Sequence, residues 1–458
     1  MDKYLSRSID QALLEWKDNP RRKPLLVRGA RQVGKSSTIR HLGKNFKYFL
    51  EVNVERNPEV MEFFKGSRDV KSIAAKLSDF FNVPVVPGET LLFLDEIQKC
   101  EDVIHSLWFF KEDYPELHVI AAGSLLEFAL KNLSSFGVGR VSSLFVYPMS
   151  FDEFLTATRQ EGLLRIKRNS SPTNPLPEAF YNRLVEAFRS YMLVGGMPEA
   201  VATYTETGSY RYSSDIVNEI IQGYQDDFAK YGAKANPLLL RQTLISVAHQ
   251  AGAKFVCSRV EGQYRSAEVK VALEMLKDAG LIIPTYHTDA NGVPLGAEIN
   301  ERVVKYLIHD TGVLLGILGI DDDIDERIKE MMVADSIDLV DKGHVAEMMA
   351  GLELIKYSSP QTRHQLYYWQ NMNKGTCAEV DYVIARSGSI VPIEVKSGVK
   401  GSMSSMYSLM RNPQKHIETG IRCSLENFGT FESPDGKKID IIPLYAISNL
   451  FAEKQMGI

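Results

Sequence analysis

The feature that most constrains this chain is the run Gly29-Ala30-Arg31-Gln32-Val33-Gly34-Lys35-Ser36-Ser37. An apolar stretch, Pro24 to Val27, precedes it, and Lys35 to Leu42 follows with helical spacing. Strand, glycine loop and helix, with the spacing Gly-x-x-x-x-Gly-Lys-Ser, make a phosphate-binding loop. The chemistry requires that arrangement. Glycines let the backbone wrap phosphate oxygens and aim N–H groups inward, and the helix N-terminus adds partial positive charge. Lys35 is then expected to reach the β- and γ-phosphates, and Ser36 to hold Mg²⁺.

A second motif completes the first. Leu91 to Leu94 reads as a buried strand that ends in Asp95 and Glu96. Asp95 is expected to reach the metal through water or through Ser36, and Glu96 to polarise the attacking water. The adjacent Glu separates an ATPase of this class from a GTPase or a small-molecule kinase, so ATP and Mg²⁺ are the expected ligands. A further strand, Leu117 to Ala122, leads into Gly123-Ser124, where Ser124 is placed to sense the γ-phosphate. Arg140 precedes another strand, Leu144 to Tyr147. It is a candidate arginine finger for a neighbouring subunit, or else a solvated loop arginine. With Tyr48 to Val54 as the second strand, the alternation of strands and helices predicts a parallel α/β sheet covered on both faces.

Composition sets the outer bounds. The 458 residues suggest about three domains at roughly 150 residues each. The net charge of −5 excludes a uniformly basic surface but leaves room for a local basic patch. Cys100, Cys257, Cys377 and Cys423 form no Cys-x-x-Cys pair, so neither a zinc site nor a disulfide framework is expected. The N-terminus does not read as a signal peptide, and no apolar run approaches the roughly 20 residues of a membrane helix. The expectation is a cytoplasmic protein with no membrane partner.

The pattern divides the chain into an ATPase core over 1–165, a helical lid over 166–235, a winged helix-turn-helix over 236–300 and a C-terminal domain over 301–458. Residues 165–178, with Pro172, Pro175 and Pro177, read as a loop, and the basic residues Arg165, Lys167 and Arg168 as a solvated face. The recognition helix of the winged unit is placed at 266–279. Lys270 and Lys277 are offset there by Glu268, Glu274 and Asp278, so a protein partner is as open as DNA.

The C-terminal segment holds a second constellation. A helix over 343–356 precedes strands at 365–370, 379–385 and 390–395, then a helix near 403–411 and a strand at 439–444. Asn373-Lys374-Gly375 and Ser387-Gly388 are placed as hairpin connections. Asp381 falls on one strand, with Glu394 and Lys396 on the same face of its neighbour. Two carboxylates and a lysine at one point suit a metal that activates water against a phosphodiester. Lys396 would orient that water or stabilise developing charge.

GARQVGKSS, LFLDEIQ, AAGSLLEF, YPMSFDEF and VGGMPEAV resemble a bacterial and archaeal family of AAA+-type ATPases with a C-terminal domain of unknown function. That family is similar to the signal-transduction ATPases with numerous domains. The resemblance implies an added strand between the two nucleotide motifs. It also implies a lid element, Gly196-Met197-Pro198, in which Gly196 and Pro198 contact the nucleotide. The C-terminal segment resembles the PD-(D/E)xK nuclease superfamily, although Val380 stands where its Pro would precede Asp381. This second resemblance implies an acid on the preceding helix, Glu347, joining Asp381 and Glu394 as metal ligands. The whole reads as a Mg²⁺-dependent ATPase acting on DNA through a restriction-endonuclease-like α/β domain, with oligomers compatible. The alternative is an ATP-dependent signalling switch or scaffold with a catalytically silent C-terminal domain and protein partners.

Overall fold

The structure, a computed structural model, describes residues 4–132, 139–231, 236–319, 342–371, 378–396 and 401–451. The expected Asn373-Lys374-Gly375 connection and Cys377 lie outside them. Five strands, β1 (Leu25–Arg28), β2 (Tyr48–Asn53), β3 (Thr90–Asp95), β4 (His118–Ala122) and β5 (Ser142–Phe145), form one parallel sheet in the order β2-β3-β4-β1-β5. β4 therefore lies between β1 and β3, the added strand that the resemblance implied. Side chains alternate between two apolar layers, as a sheet covered on both faces requires. Leu25, Val27, Leu91, Phe93, Ile120 and Ala122 enter one core, and Leu26, Leu92, Leu94, Val119 and Ala121 the other.

Helices Glu178–Val194, Pro198–Thr207 and Tyr210–Asp227 follow, then Pro237–His249 and Ser266–Asp278. The hairpin after them, β6 (Ile282–Thr288) and β7 (Ile299–Ile308), is antiparallel and runs past the expected boundary at residue 300. It does not stand free. β6 also pairs in parallel with β8 (Leu366–Gln370), which pairs with β9 (Glu379–Val380), giving the sheet β7-β6-β8-β9. This pairing covers the edge that a solitary hairpin would expose.

The strand expected over 379–385 breaks at Asp381. β9 ends before it in one sheet, and β10 (Tyr382–Arg386) begins after it in another. That second sheet continues through β11 (Ser389–Val395), β12 (Thr419–Ser424), β13 (Gly429–Glu432) and β14 (Lys438–Pro443) in the order β10-β11-β12-β14-β13. Ser387 and Gly388, at φ 49° and 78°, make the two-residue turn between β10 and β11.

Charged groups tie these parts together at depth. The expected loop from 165 begins instead as a helix, Glu161–Arg168, and Lys167 in its last turn is fully buried rather than solvated. Its Nζ donates to the Asp152 carboxylate and, at 2.7 Å, to Ser448 Oγ. Tyr357 Oη donates to the same Asp152 oxygen at 2.9 Å. Nearby, buried Glu353 accepts from Tyr191 Oη at 2.8 Å and from Phe151 N at 3.1 Å. The four segments thus share one contiguous apolar cluster, from Ile9 to Leu450.

Burial raises the Asp152 carboxyl, but Lys167 and Arg168 outweigh it and hold the group below the usual range. Its stabilisation is therefore present above the unfolded carboxyl's pKa and lost as pH falls through the folded value. Asp152→Ala leaves Lys167 buried without its counter-charge and should cost about 3–5 kcal/mol at neutral pH. Urea unfolding measures it, and the gap from wild type should narrow below about pH 4.

Candidate functional site

The phosphate loop leaves β1 at Arg28 and enters the helix Lys35–Gly43. Gly29 sits at φ 145°, and a Cβ there would meet Val146 O at 2.1 Å, so no other residue fits. Gly34 has φ 95°, and Gln32, not a glycine, is held at φ 61°. Lys35 lies inside the loop with its Nζ on Gly29 O at 2.9 Å and Ala30 O at 2.6 Å. Burial pushes this ammonium down to about 8, while Glu96 and Asp95 pull it back up.

Ser36 Oγ donates to Asp95 Oδ2 at 3.2 Å. A hydroxyl beside a carboxylate is the hard-oxygen donor set that Mg²⁺ takes, so the residues present fit the metal. Burial, then the charge of Glu96, raises the Asp95 carboxyl. Glu96 occupies the left-handed region at φ 54°. Its Oε2 accepts from Ser124 Oγ at 3.0 Å and from Gln98 Nε2 at 2.5 Å. Ser124 and Glu96 are thus brought together. Gln98 was not anticipated; its one signal is its place two residues beyond Glu96. Gly123 makes room for it, because a Cβ there would meet Gln98 Oε1 at 2.0 Å.

Arg31, Gln32, Gly34, Lys35, Ser36, Ser37, Asp95, Glu96, Ser124 and Pro198 line one cleft of about 700 Å³. Its wall also includes Tyr4 and His41, whose rings stack at 4.0 Å, a pair that sequence reasoning missed. Val33 is fully buried behind the loop, its carbonyl accepting from Arg7 Nη1 at 2.9 Å. One expectation needs correction. Gly196 is not on the cleft wall: its N–H donates to Asp310 Oδ2 at 2.6 Å and its carbonyl accepts from Met149 N at 2.6 Å. Only Pro198 of that element reaches the cleft. Arg140 does not line the cleft of its own chain; its Nε pairs with Glu112 at 2.8 Å and its guanidinium lies 5.7 Å from the Trp108 ring.

The second constellation gathers at the break between the other two sheets. Asp381, at the break between β9 and β10, accepts from Val395 N at 2.7 Å. Glu394 Oε1 takes Lys396 Nζ at 2.6 Å, while its Oε2 is buried with no hydrogen-bond partner. Glu347, on the helix Lys342–Lys356, is paired with Lys305 of β7 at 2.8 Å, and Glu379 shares that ammonium. Burial pushes Glu347 up to about 8, against the pull of Lys305, and Glu394 up to about 7, with Asp381 adding to it. The Asp381 carboxyl is raised by the same burial. The expected metal triad of Glu347, Asp381 and Glu394 is not assembled: among the described residues no three His, Cys, Asp or Glu side chains stand so as to hold an ion. Glu347 is engaged by Lys305 instead.

Residues 21–155 match the family described as AAA domain. These residues form an AAA-type P-loop ATPase domain. Residues 185–324 and 342–447 match two domains of unknown function, DUF8612 and DUF4143. No curated protein matches the chain. Among solved structures it is similar to the Walker-type ATPase PABY2304 of Pyrococcus abyssi, at 17% identity and TM-score 0.43, over 69% of this chain and 96% of that one. It is also similar to the Aeropyrum pernix ORC1 protein in complex with DNA, at 13% identity and TM-score 0.29, over 73% and 94%. No helix among the described residues is long and apolar enough to cross a membrane.

Because Gln98 fixes Glu96 from the side, Gln98→Ala should leave nucleotide affinity near wild type. It should slow steady-state ATP turnover roughly 10- to 100-fold through misplacement of the carboxylate. Parallel measurement of nucleotide Kd and kcat separates the two effects.

Proposed function

We propose that the chain is a Mg²⁺-dependent ATPase whose nucleotide cycle governs a winged helix and a nuclease-like C-terminal domain that act on DNA. The observation that carries this reading is one cleft in which Ser36, Asp95, Glu96 and Ser124 converge beside the Lys35 loop. Backbone N–H groups of the loop bind the phosphates, and Lys35 leaves its carbonyl partners to meet the β- and γ-oxygens. Glu96, aimed by Ser124 and Gln98, accepts the proton of the attacking water. Ser36 and Asp95 would hold Mg²⁺, which would supply neutralisation of the charge on the β- and γ-phosphates. Pro198 closes the cleft from the lid. Arg140, on the surface and away from its own cleft, serves a neighbouring copy as an arginine finger.

Helix, helix and hairpin over 237–308 support the winged-helix reading. The helix bearing Glu347, the break at Asp381 and the strand bearing Glu394 support the nuclease-like one. A second reading, a signalling switch with a silent C-terminal domain, is favoured by one observation: Lys305 and Lys396 already engage three of the four acids.

Lys35→Ala should lose nucleotide binding. Glu96→Gln should keep ATP while hydrolysis falls about 10²- to 10⁴-fold, the range of a lost general base. Equal turnover in Glu96→Gln and wild type would overturn the assignment. With ATP and Mg²⁺, Glu96→Gln should bind DNA with an affinity that falls steeply with salt. No binding to duplex, single-stranded or branched DNA at low salt favours the switch.

A further inference from the structure

We infer that Lys305 is a built-in competitor for the C-terminal carboxylate cluster, an ammonium on β7 that keeps Glu347 from joining Asp381 and Glu394 around a divalent cation. The inference deepens the nuclease-like reading, on which it rests for what the opened site would do.

Lys305 is 1% exposed, and a lysine is almost never so buried unless it is paired. It bridges Glu347 on one helix and Glu379 on β9. Asp381 and Glu394 crowd the same place, Asp381 on the Val395 amide and under the pull of the Lys305 charge, Glu394 on Lys396. An independent feature points to a missing ligand. Glu394 is 5% exposed, and its Oε2 is buried with no donor facing it. A carboxylate oxygen left so is costly, and a cation is the partner that its neighbour Asp381, with Glu347 beside Asp381, would share. The hard oxygens suit Mg²⁺ or Mn²⁺.

β7 also has an anchor at its other end. His309 Nε2 lies 3.2 Å from Tyr224 Oη, which donates to the phosphate-loop carbonyl of Arg31 at 3.1 Å. Asp310 holds the Gly196 amide of the lid. Four residue steps, about 13 Å of extended strand, separate Lys305 from His309. The ammonium is therefore seated by a strand that is fixed to the nucleotide site.

Mn²⁺ binding to the nucleotide-free full chain, followed by electron paramagnetic resonance, tests this. Lys305→Met should bind one Mn²⁺ at least 10-fold more tightly than wild type, and adding Asp381→Asn should remove that site. Glu379→Gln, which loosens the ammonium without touching the three acids, should shift Mn²⁺ affinity in the same direction. If Lys305→Met is unstable without metal, Mn²⁺ should raise its melting temperature by several degrees. Identical Mn²⁺ binding by wild type and both folded variants overturns the inference. Should Lys305→Met not fold even with Mn²⁺, unchanged binding in Glu379→Gln overturns it alone. DNA cleavage is scored separately. A gained Mn²⁺ site without cleavage upholds the competitor role and removes the nuclease reading. Cleavage that depends on Asp381, with no gained site, does the reverse.

Discussion

The nucleotide cleft hangs on the register of β1. This strand pairs on both sides, Leu25 to Val27 with Ile120 to Ala122 of β4 and Leu25 to Arg28 with Ser142 to Phe145 of β5. β4 in turn sets β3, Leu94 opposite Ala121, and β3 sets β2. The phosphate loop, Asp95 with Glu96, and Gly123-Ser124 therefore leave one edge of the sheet at nearly one level. Ligands bind at the carboxyl edge of open α/β sheets because loops with free backbone donors gather there. A slip of one residue in β3 would turn Asp95 to the opposite face and separate it from Ser36.

Most of this half was legible in the sequence because its signals are local. The phosphate loop is one continuous run, and Asp95 and Glu96 terminate an apolar strand. Ser124 follows another such strand. Each can be read within a window of ten residues. What stayed hidden depends on residues far apart in the chain. Lys305 meets partners 42 and 74 residues away, and Lys167 reaches Ser448. Nothing in the neighbourhood of either lysine distinguishes it from a solvated one. The break at Asp381 was hidden for a related reason. Alternation over 379–385 is that of one strand, and only the competition between β8 and β11 for partners splits it into two sheets. Gly196 was assigned by resemblance to the nucleotide. Its amide is instead taken by Asp310, which lies beyond the hairpin.

A buried polar cluster joins distant parts of the chain. Asp152, Lys167, Glu353, Tyr191 and Tyr357 meet where the helices Phe151–Ala157, Glu161–Arg168, Glu178–Val194 and Lys342–Lys356 converge. Apolar packing alone would tolerate sliding between these elements. Buried ion pairs do not, because each displacement strands a charge in a poorly polarisable interior. The Lys342–Lys356 helix therefore moves with the core, and it carries Glu347 near its start and Glu353 and Lys356 near its end.

β7 presses on that helix from the other side through Lys305. The carboxylate cluster is thus framed by two elements, each tied both to the nucleotide-binding sheet and to the helices that follow it. The Lys342–Lys356 helix is held through Glu353, on Phe151 N and Tyr191 Oη, and through Lys356, on Met149 O and Tyr191 Oη. β7 is held through Asp310, on Gly196 N, and through His309 and Tyr224 to the Arg31 carbonyl. Parting the Lys305–Glu347 pair would remove the charge that Lys305 sets against Glu347 and Asp381. The same geometry serves both proposed readings, since the exchange of an ammonium for a metal would arm a cutting site, while the parting of the pair alone would reshape a docking surface. They differ in one chemical property, the affinity of the opened cluster for a divalent cation.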